Sequence, residues 1–315
     1  MRDKLYRQEY NKLTQTERKM LLHSLAESNP RFRLLRFESF ERFGMQTDTA
    51  VYLCGDKEFV FVPGDTVTLG WDNFLVGMDS DTLADIQEGI SEWEDLPVLE
   101  DFLRECISPV RSATIPPMLV ERTLNTTGWY TVPFDSVELK PFQEEIEWFL
   151  QNDYGKSTRH PIRLTRENGN IIAELFEPIS FDDLLKQIHN DGFSLPTEDE
   201  WEYLCGGGSR TFYRWGDSFD YDYDSENELC SLLELPNQFG LSIAYDPYVK
   251  EVVESSEYFL KGGDGGVGLC GGLCPVLAYL STATYYRDMC WSNDYLDSKN
   301  NIASNYNFYR RIVRL

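Results

Sequence analysis

The chain has 315 residues, of which 42% are hydrophobic and 26% are charged, a composition typical of a folded globular protein and not of a disordered one. Its 29 basic and 53 acidic side chains give a net charge of −24, which argues against DNA, RNA and anionic membranes as partners and favours a cationic one. No apolar run reaches the roughly 18 residues of a membrane helix, and residues 1–7 lack the apolar stretch of a signal peptide. We therefore expect a cytoplasmic protein.

The first 50 residues are predicted to form an N-terminal helical extension. Leu13, Met20, Leu21 and Leu25 follow helical spacing up to the Asn-Pro pair at 29–30, where the helix should end. Residues 32–43 are rich in Arg and Phe and are compatible with a helix or a strand. The remaining residues, 51–315, are assigned to one irregular α+β domain, because no internal repeat or low-complexity linker divides them.

Strand signals come next in chain order. Residues 50–54 and 58–62 are apolar runs separated by a Gly-Asp turn, which predicts a hairpin, and a further strand is expected at 66–70. Residues 79–106 hold ten acidic side chains and one basic one at helical apolar spacing, which favours a solvated pair of acidic helices over a metal cage. Residues 141–150 are predicted to be helical. Beyond residue 205, glycines, aromatics and turn residues leave little helical periodicity.

The most specific segment is residues 195–203, Leu-Pro-Thr-Glu-Asp-Glu-Trp-Glu-Tyr. Thr197 and Glu200 are spaced as a capping box, in which each side chain accepts a hydrogen bond from a free N–H group at the start of a helix. The acidic residues of the first turn suit the positive end of the helix dipole. The residues alone therefore predict a helix start whose buried side carries Trp201 and Leu204.

Together with Tyr-Arg-Trp-Gly-Asp at 213–217, this segment resembles the formylglycine-generating enzyme (sulfatase-modifying factor) family. Five more stretches are similar to motifs of that family and fall in its order: residues 58–70 as the opening hairpin, 111–120 as the next strand, 237–241 (Asn-Gln-Phe-Gly-Leu), the Gly-Gly pair at 262–263, and 307–313 near the end. The resemblance spans residues 57–315 and implies an irregular C-type-lectin-like fold.

In catalytic members of this family, a Gly-Gly-Ser-Trp strand leads to two cysteines five positions apart, which bind Cu(I) and activate O2. Here the Ser and Trp are absent, and Cys270 and Cys274 are four positions apart. Two thiolates suit the soft Cu(I) ion. Three interpretations therefore stay open for this pair: a copper site, a redox pair, or no chemistry.

The remaining cysteines and the histidines give no comparable signal. The seven cysteines are too sparse for a disulfide scaffold, and in a reducing compartment most of them are expected to be small buried hydrophobes. None of His23, His160 and His189 lies near the cysteine pair in sequence, so a zinc site is not supported.

The resemblance also implies two calcium sites. The first would lie in the acidic stretch that follows the Trp-Gly-Asp motif, where hard carboxylate and amide oxygens alternate along the chain. The second maps onto residues 247–252, where only the glutamate is retained. The candidate ligands are Asp217, Asp220, Asp222, Asp224, Asn227 and Glu251. A solvated acidic loop is the alternative to the first site.

Two functions follow from these observations. The altered cysteine spacing and the lost calcium motif favour a catalytically degenerate relative that acts as an intracellular module binding a protein, a peptide or a small molecule. The alternative is a copper-dependent oxidoreductase that oxidises a peptide cysteine or a small thiol with O2, with Cys270 and Cys274 as the copper ligands.

Overall fold

Short helices and several small, mostly antiparallel sheets make up the fold. The structure, a computed structural model, describes residues 2–74, 76–91, 98–219, 233–256, 258–287 and 299–315. The helices in this part of the chain are α1 (Arg7–Tyr10), α2 (Gln15–Ser28), α3 (Ser80–Ile90), α4 (Leu99–Cys106), α5 (Gln143–Gln151), α6 (Phe181–Asn190), α7 (Glu198–Gly206), α8 (Val267–Cys270) and α9 (Pro275–Ala278), with 3-10 turns at Arg2–Leu5, Val137–Phe142 and Leu280–Thr282.

The strands are β1 (Arg33–Arg42), β2 (Met45–Cys54), β3 (Lys57–Val62), β4 (Asp65–Leu69), β5 (Arg111–Ile115), β6 (Met118–Glu121), β7 (Asn125–Thr126), β8 (Trp129–Val132), β9 (Lys156–Arg159), β10 (Ile162–Glu167), β11 (Asn170–Phe176), β12 (Lys250–Val252), β13 (Leu260–Lys261), β14 (Asn307–Tyr309) and β15 (Ile312–Arg314). The predicted α+β class is confirmed.

The central sheet has the strand order β1-β2-β3-β6-β15, and every neighbouring pair is antiparallel. Its third strand shows how both faces are buried, because successive side chains of a strand point to opposite faces. Phe59 and Phe61 pack with residues of α2 and α6, whereas Val60 and Val62 pack with α3, α4 and α7. The sheet is therefore the middle layer between two sets of helices.

Three smaller sheets surround this layer. Two contain four strands, in the orders β8-β11-β10-β9 and β13-β12-β14-β7, and the third pairs β4 with β5. β14 runs parallel to β12 and antiparallel to β7, which brings residues near 307, 250 and 125 into one sheet. Segments far apart in sequence thus meet at the edges of small sheets.

The N-terminal segment differs from the predicted helical extension. Helices occupy only its first part, up to Ser28, and residues 33–42 and 45–54 are the first two strands of the central sheet. The expected boundary at residue 50 therefore falls inside β2. The reason is long-range pairing, because residues 33–42 form a long antiparallel ladder with β2. Their own sequence pattern does not favour a helix over a strand.

Other local predictions are confirmed. The hairpin of β2 and β3, the acidic pair α3 and α4, and helix α5 lie where the sequence pattern placed them. Thr14 caps α2 in a capping box with Glu17, and the helix ends before Asn29. Among the described helices, none combines the length and the apolarity that crossing a membrane requires.

Candidate functional site

Helix α7 begins where the capping box was predicted. The Thr197 side chain accepts a hydrogen bond from the Glu200 N–H at 3.3 Å, and the Glu200 carboxylate accepts one from the Thr197 N–H at 2.8 Å. Trp201 and Leu204 are fully buried. The local prediction from residues 195–203 is therefore confirmed in its geometry.

The acidic residues of α7 pair with basic side chains from four other segments, among them Arg314, which donates to both oxygens of Glu200 at 2.6 and 2.7 Å. Arg287 donates to both oxygens of Glu198 at 2.6 and 2.5 Å, and Lys261 donates to Glu202 at 2.9 Å. Arg111 donates to Glu202 at 2.9 Å and to Asp199 at 2.7 Å. Burial raises the pKa of Glu198, but Arg287 and the neighbouring cations outweigh it and leave that pKa below its usual value. These ion pairs hold α7 in position, and the carboxylates that form them therefore have a structural role.

Steric contacts require glycine at both positions of the Gly-Gly pair at 262–263. Gly262 has φ +86°, and a Cβ atom there would lie 2.9 Å from the Trp201 ring. A Cβ on Gly263 would lie 2.4 Å from the Val249 carbonyl oxygen. Asp264, which follows this pair, accepts hydrogen bonds from the N–H groups of residues 266–268 at 2.7 to 3.1 Å. Its carboxylate thus organises the loop that leads into α8.

Cys270 and Cys274 lie at the ends of two successive one-turn helices and contact different partners. Cys270 ends α8, is exposed, and lies 2.9 Å from the Tyr248 hydroxyl. Cys274 precedes α9, is half-buried, and donates to the Asp85 carbonyl oxygen at 3.3 Å. Both thiols are free, so the structure does not form a disulfide between them.

The environment of Cys274 opposes the thiolate that Cu(I) needs. Burial, with a smaller contribution from the neighbouring Asp85, raises the pKa of Cys274 to about 11. Within the described residues, no group of three or more His, Cys, Asp or Glu side chains is placed to hold a metal ion. A two-thiolate site is smaller than such a group, and Cu(I) binding by Cys270 and Cys274 stays a prediction of the resemblance.

Asp217, the first candidate calcium ligand, accepts hydrogen bonds from other residues at both carboxylate oxygens. Its Oδ1 accepts hydrogen bonds from Trp71 Nε1 at 2.9 Å and from the Phe212 N–H at 2.8 Å. Its Oδ2 accepts one from Asn73 at 3.2 Å. The aspartate of the Trp-Gly-Asp motif therefore ties the turn at 212–217 to the segment after β4. Asp220, Asp222, Asp224 and Asn227 lie outside the described residues.

Glu251, the second predicted metal position, forms a buried ion pair. Arg310 donates to its two oxygens at 2.7 and 2.8 Å, and both side chains are almost fully buried. Arg310 also donates to the carbonyl oxygens of Glu121 and Ser242, at 3.1 and 2.6 Å. The pair joins β12, β6 and the C-terminal strands, which gives the retained glutamate a structural role.

A cleft that the sequence did not predict opens between α6 and the strands β7, β8 and β14. Its volume is about 500 Å³, and it is lined by Thr126, Thr127, Gly128, Trp129, Tyr130, Glu177, Pro178, Ile179, Asp183, Leu184, Gln187 and Tyr309. This volume lies in the range of small-molecule sites, roughly 300–1,000 Å³. The sequence signal for it was slight, because the lining comes from segments up to 183 residues apart, the separation of Thr126 and Tyr309.

The cleft combines aromatic faces with negative charge. Trp129 is fixed by a hydrogen bond from its indole N–H to Asn305 at 3.0 Å and by the Arg163 guanidinium, 4.4 Å from its ring centre. Glu177 and Asp183 are exposed at the rim, and in the described chain neither carboxylate has a Lys, Arg or His partner. The lining includes no basic side chain, and the nearby Arg163 is paired with Glu174 at 2.6 Å, so the carboxylates of Glu177 and Asp183 make the rim negatively charged.

Comparison with known proteins gave no relative for this chain: no family model and no curated protein matches its sequence.

Proposed function

We propose that this chain is a catalytically degenerate relative of the formylglycine-generating enzymes, with a C-type-lectin-like fold, that acts as an intracellular binding module. The ordered motifs at 58–70, 111–120, 195–217, 237–241, 262–263 and 307–313 support the relationship. The contacts of Cys270, Cys274, Asp217 and Glu251 support a loss of metal chemistry, since each of these side chains is engaged by another part of the protein. No observation favours the copper-dependent oxidoreductase over this proposal.

The observation that carries the proposal is the acidic, aromatic cleft. A positively charged group interacts favourably with carboxylates and with the face of an aromatic ring, above all when part of the water is displaced. The partner would therefore be a peptide or small molecule that places an ammonium or guanidinium group at the carboxylates of Glu177 and Asp183, next to the aromatic side chains of the lining. The net charge of −24 increases the local concentration of such cations.

The proposal is tested with N-acetyl-arginine amide as the cationic probe and N-acetyl-citrulline amide as its neutral isostere. Binding is followed by the chemical shifts of backbone amides near the cleft. We expect saturable shifts with the arginine probe, and at least tenfold weaker binding of the citrulline probe. Equal affinity for both probes would exclude recognition of the charge.

Two variants locate the binding. Combining Glu177→Gln with Asp183→Asn should weaken the arginine probe at least fivefold, because both rim charges are removed. Asp182→Asn is the matched control, since this exposed neighbour pairs with Lys299 at 3.2 Å and does not line the cleft. If the control weakened binding as much as the double variant, the interaction would be general charge attraction and not the cleft.

A further inference from the structure

Arg214 is a buried arginine that has no counter-ion among the residues that the structure describes. Its side chain is 2% exposed, and Nη2 donates to the Leu233 carbonyl oxygen at 3.1 Å. Its Nε and Nη1 atoms find no hydrogen-bond acceptor in the described chain. Burial lowers the pKa of Arg214, yet an arginine stays protonated in proteins. A buried charge with free donors is strongly unfavourable, so this group requires a partner.

Gln238 is a second buried polar group without partners. It is 1% exposed, and neither Oε1 nor Nε2 of its amide finds a hydrogen-bond partner in the part of the chain that the structure describes. The amide lies against Gly207, where a Cβ atom would be 2.3 Å from Nε2 and 3.5 Å from the sulfur of Met45. Gln238 is therefore next to the tip of the hairpin formed by β1 and β2.

Arg42 brings a second cation to the same place. It is the register partner of Met45 at the hairpin tip, and its buried Nε has no acceptor among the described residues. The hairpin tip also contacts the turn that carries Arg214, because the Phe43 and Trp215 ring centres are 6.0 Å apart. The Arg42 charge is close enough to contribute to the lowered pKa of Arg214, after burial and against the opposing effect of Cys205.

The polar groups without hydrogen-bond partners thus lie on three neighbouring segments. These are the hairpin tip at 42–45, the turn at 213–216 and the turn at 237–241. The described ion pairs include neither arginine, so in this part of the chain the two like charges approach each other without a carboxylate that pairs with either one. N–H donors from a pair of arginines and an amide match the acceptors of an oxyanion. The free Oε1 of Gln238 in addition accepts a hydrogen bond from a hydroxyl group on the same ligand.

We propose that Arg42, Arg214 and Gln238 form a binding site for an oxyanion, the phosphate or carboxylate group of a small ligand. The site is distinct from the acidic cleft, which it neither overlaps nor requires. Its ligand would ion-pair with both arginines and hydrogen-bond to the Gln238 amide. The site would also give the fold a ligand-dependent increase in stability, because the ligand relieves the buried charge.

The test is the melting temperature of the full chain in inorganic phosphate and, separately, in acetate, each compared with chloride at the same ionic strength. A rise in phosphate alone identifies a phosphate ligand, and a rise in acetate alone identifies a carboxylate ligand. A rise in both supports the shared oxyanion chemistry. If neither anion raises the melting temperature above that in chloride, the proposal is wrong.

Variants of the arginines test whether the anion raises the melting temperature by binding at this site. Arg214→Gln should abolish the rise, and Arg42→Gln, at the less buried hairpin tip, should reduce the anion affinity at least tenfold. Arg210→Gln is the matched control, because Arg210 lies in the same segment but is half-exposed and already paired with Asp72 at 2.5 Å. Should Arg214→Gln fail to fold, Arg42→Gln decides the question. An unchanged response in Arg42→Gln, or an equal loss in the Arg210 control, would overturn the assignment.

Discussion

The Lys261 ammonium lies 2.9 Å from a carboxylate oxygen of Glu202, and neither side chain is exposed to solvent. Lys261 also lies 5.4 Å from the centre of the Trp201 ring. The pair thus joins β13 to α7 directly before the Gly-Gly pair at 262–263. Removing one partner of a buried ion pair leaves an uncompensated charge, which is far less favourable than removing both.

Lys261→Met is therefore expected to lower the free energy of unfolding by about 3 kcal/mol, at the lower end of the usual range because Arg111 still pairs with Glu202. Urea denaturation measures this change. Lys12→Met is the control, since Lys12 is exposed and pairs with Glu9 of the preceding turn, and it should change stability by less than about 0.5 kcal/mol. A loss below about 1 kcal/mol for Lys261→Met would show that the pair is not needed to hold α7.

Thr197→Ala removes the N-cap of α7 and is expected to lower the free energy of unfolding by about 1 kcal/mol, the usual loss for an N-cap. Thr158→Ala provides the comparison, because Thr158 is an exposed residue of β9 without a capping role. Both are measured by urea denaturation. A decrease of no more than a few tenths of a kcal/mol for Thr197→Ala would contradict the capping role.

Cys274 should react slowly with iodoacetamide at neutral pH. Burial raises its pKa to about 11, so at pH 8 only about one molecule in a thousand carries the reactive thiolate. The labelling rate should rise about tenfold for each pH unit between 8 and 10, provided that the fold is intact. Mass spectrometry of the alkylated peptides follows this rate. Rapid labelling at pH 7 would show that the thiol is ionised and accessible.

Copper binding distinguishes the binding module from the copper-dependent oxidoreductase. We expect anaerobic Cu(I) titrations of the wild type, Cys270→Ser and Cys274→Ser to give equal affinities, because the two thiols have separate partners. An oxidase would instead bind one Cu(I) per chain through both thiolates and lose that binding in either variant. It would also release protons on binding, since the thiols must ionise first.

Calcium is expected to leave the melting temperature unchanged. Both oxygens of Asp217 already accept hydrogen bonds from Trp71, Asn73 and the Phe212 N–H, so the first ligand of the proposed site is committed to the fold. Thermal unfolding in millimolar calcium is compared with unfolding in a chelator. A higher melting temperature in calcium would instead establish a site that prefers the folded state.

Local structure followed from the sequence wherever neighbouring residues decide the conformation. The capping box at Thr197 and Glu200, the Gly-Asp turn between β2 and β3, and the apolar spacing of α3 depend on contacts within a few residues. For the same reason, the burial of Trp201 could be predicted from its position on α7.

Tertiary structure decided the rest, because those features depend on which distant segments meet. Residues 33–42 became a strand through pairing with β2, although their own pattern was ambiguous. Glu251 looked like a metal ligand until the fold placed Arg310 beside it. The acidic cleft and the cluster of Arg42, Arg214 and Gln238 each combine segments of unrelated sequence, and only packing shows which charges lack a partner. The sequence determines the chemistry of each side chain, but the long-range contacts of the folded chain determine its burial and its neighbours.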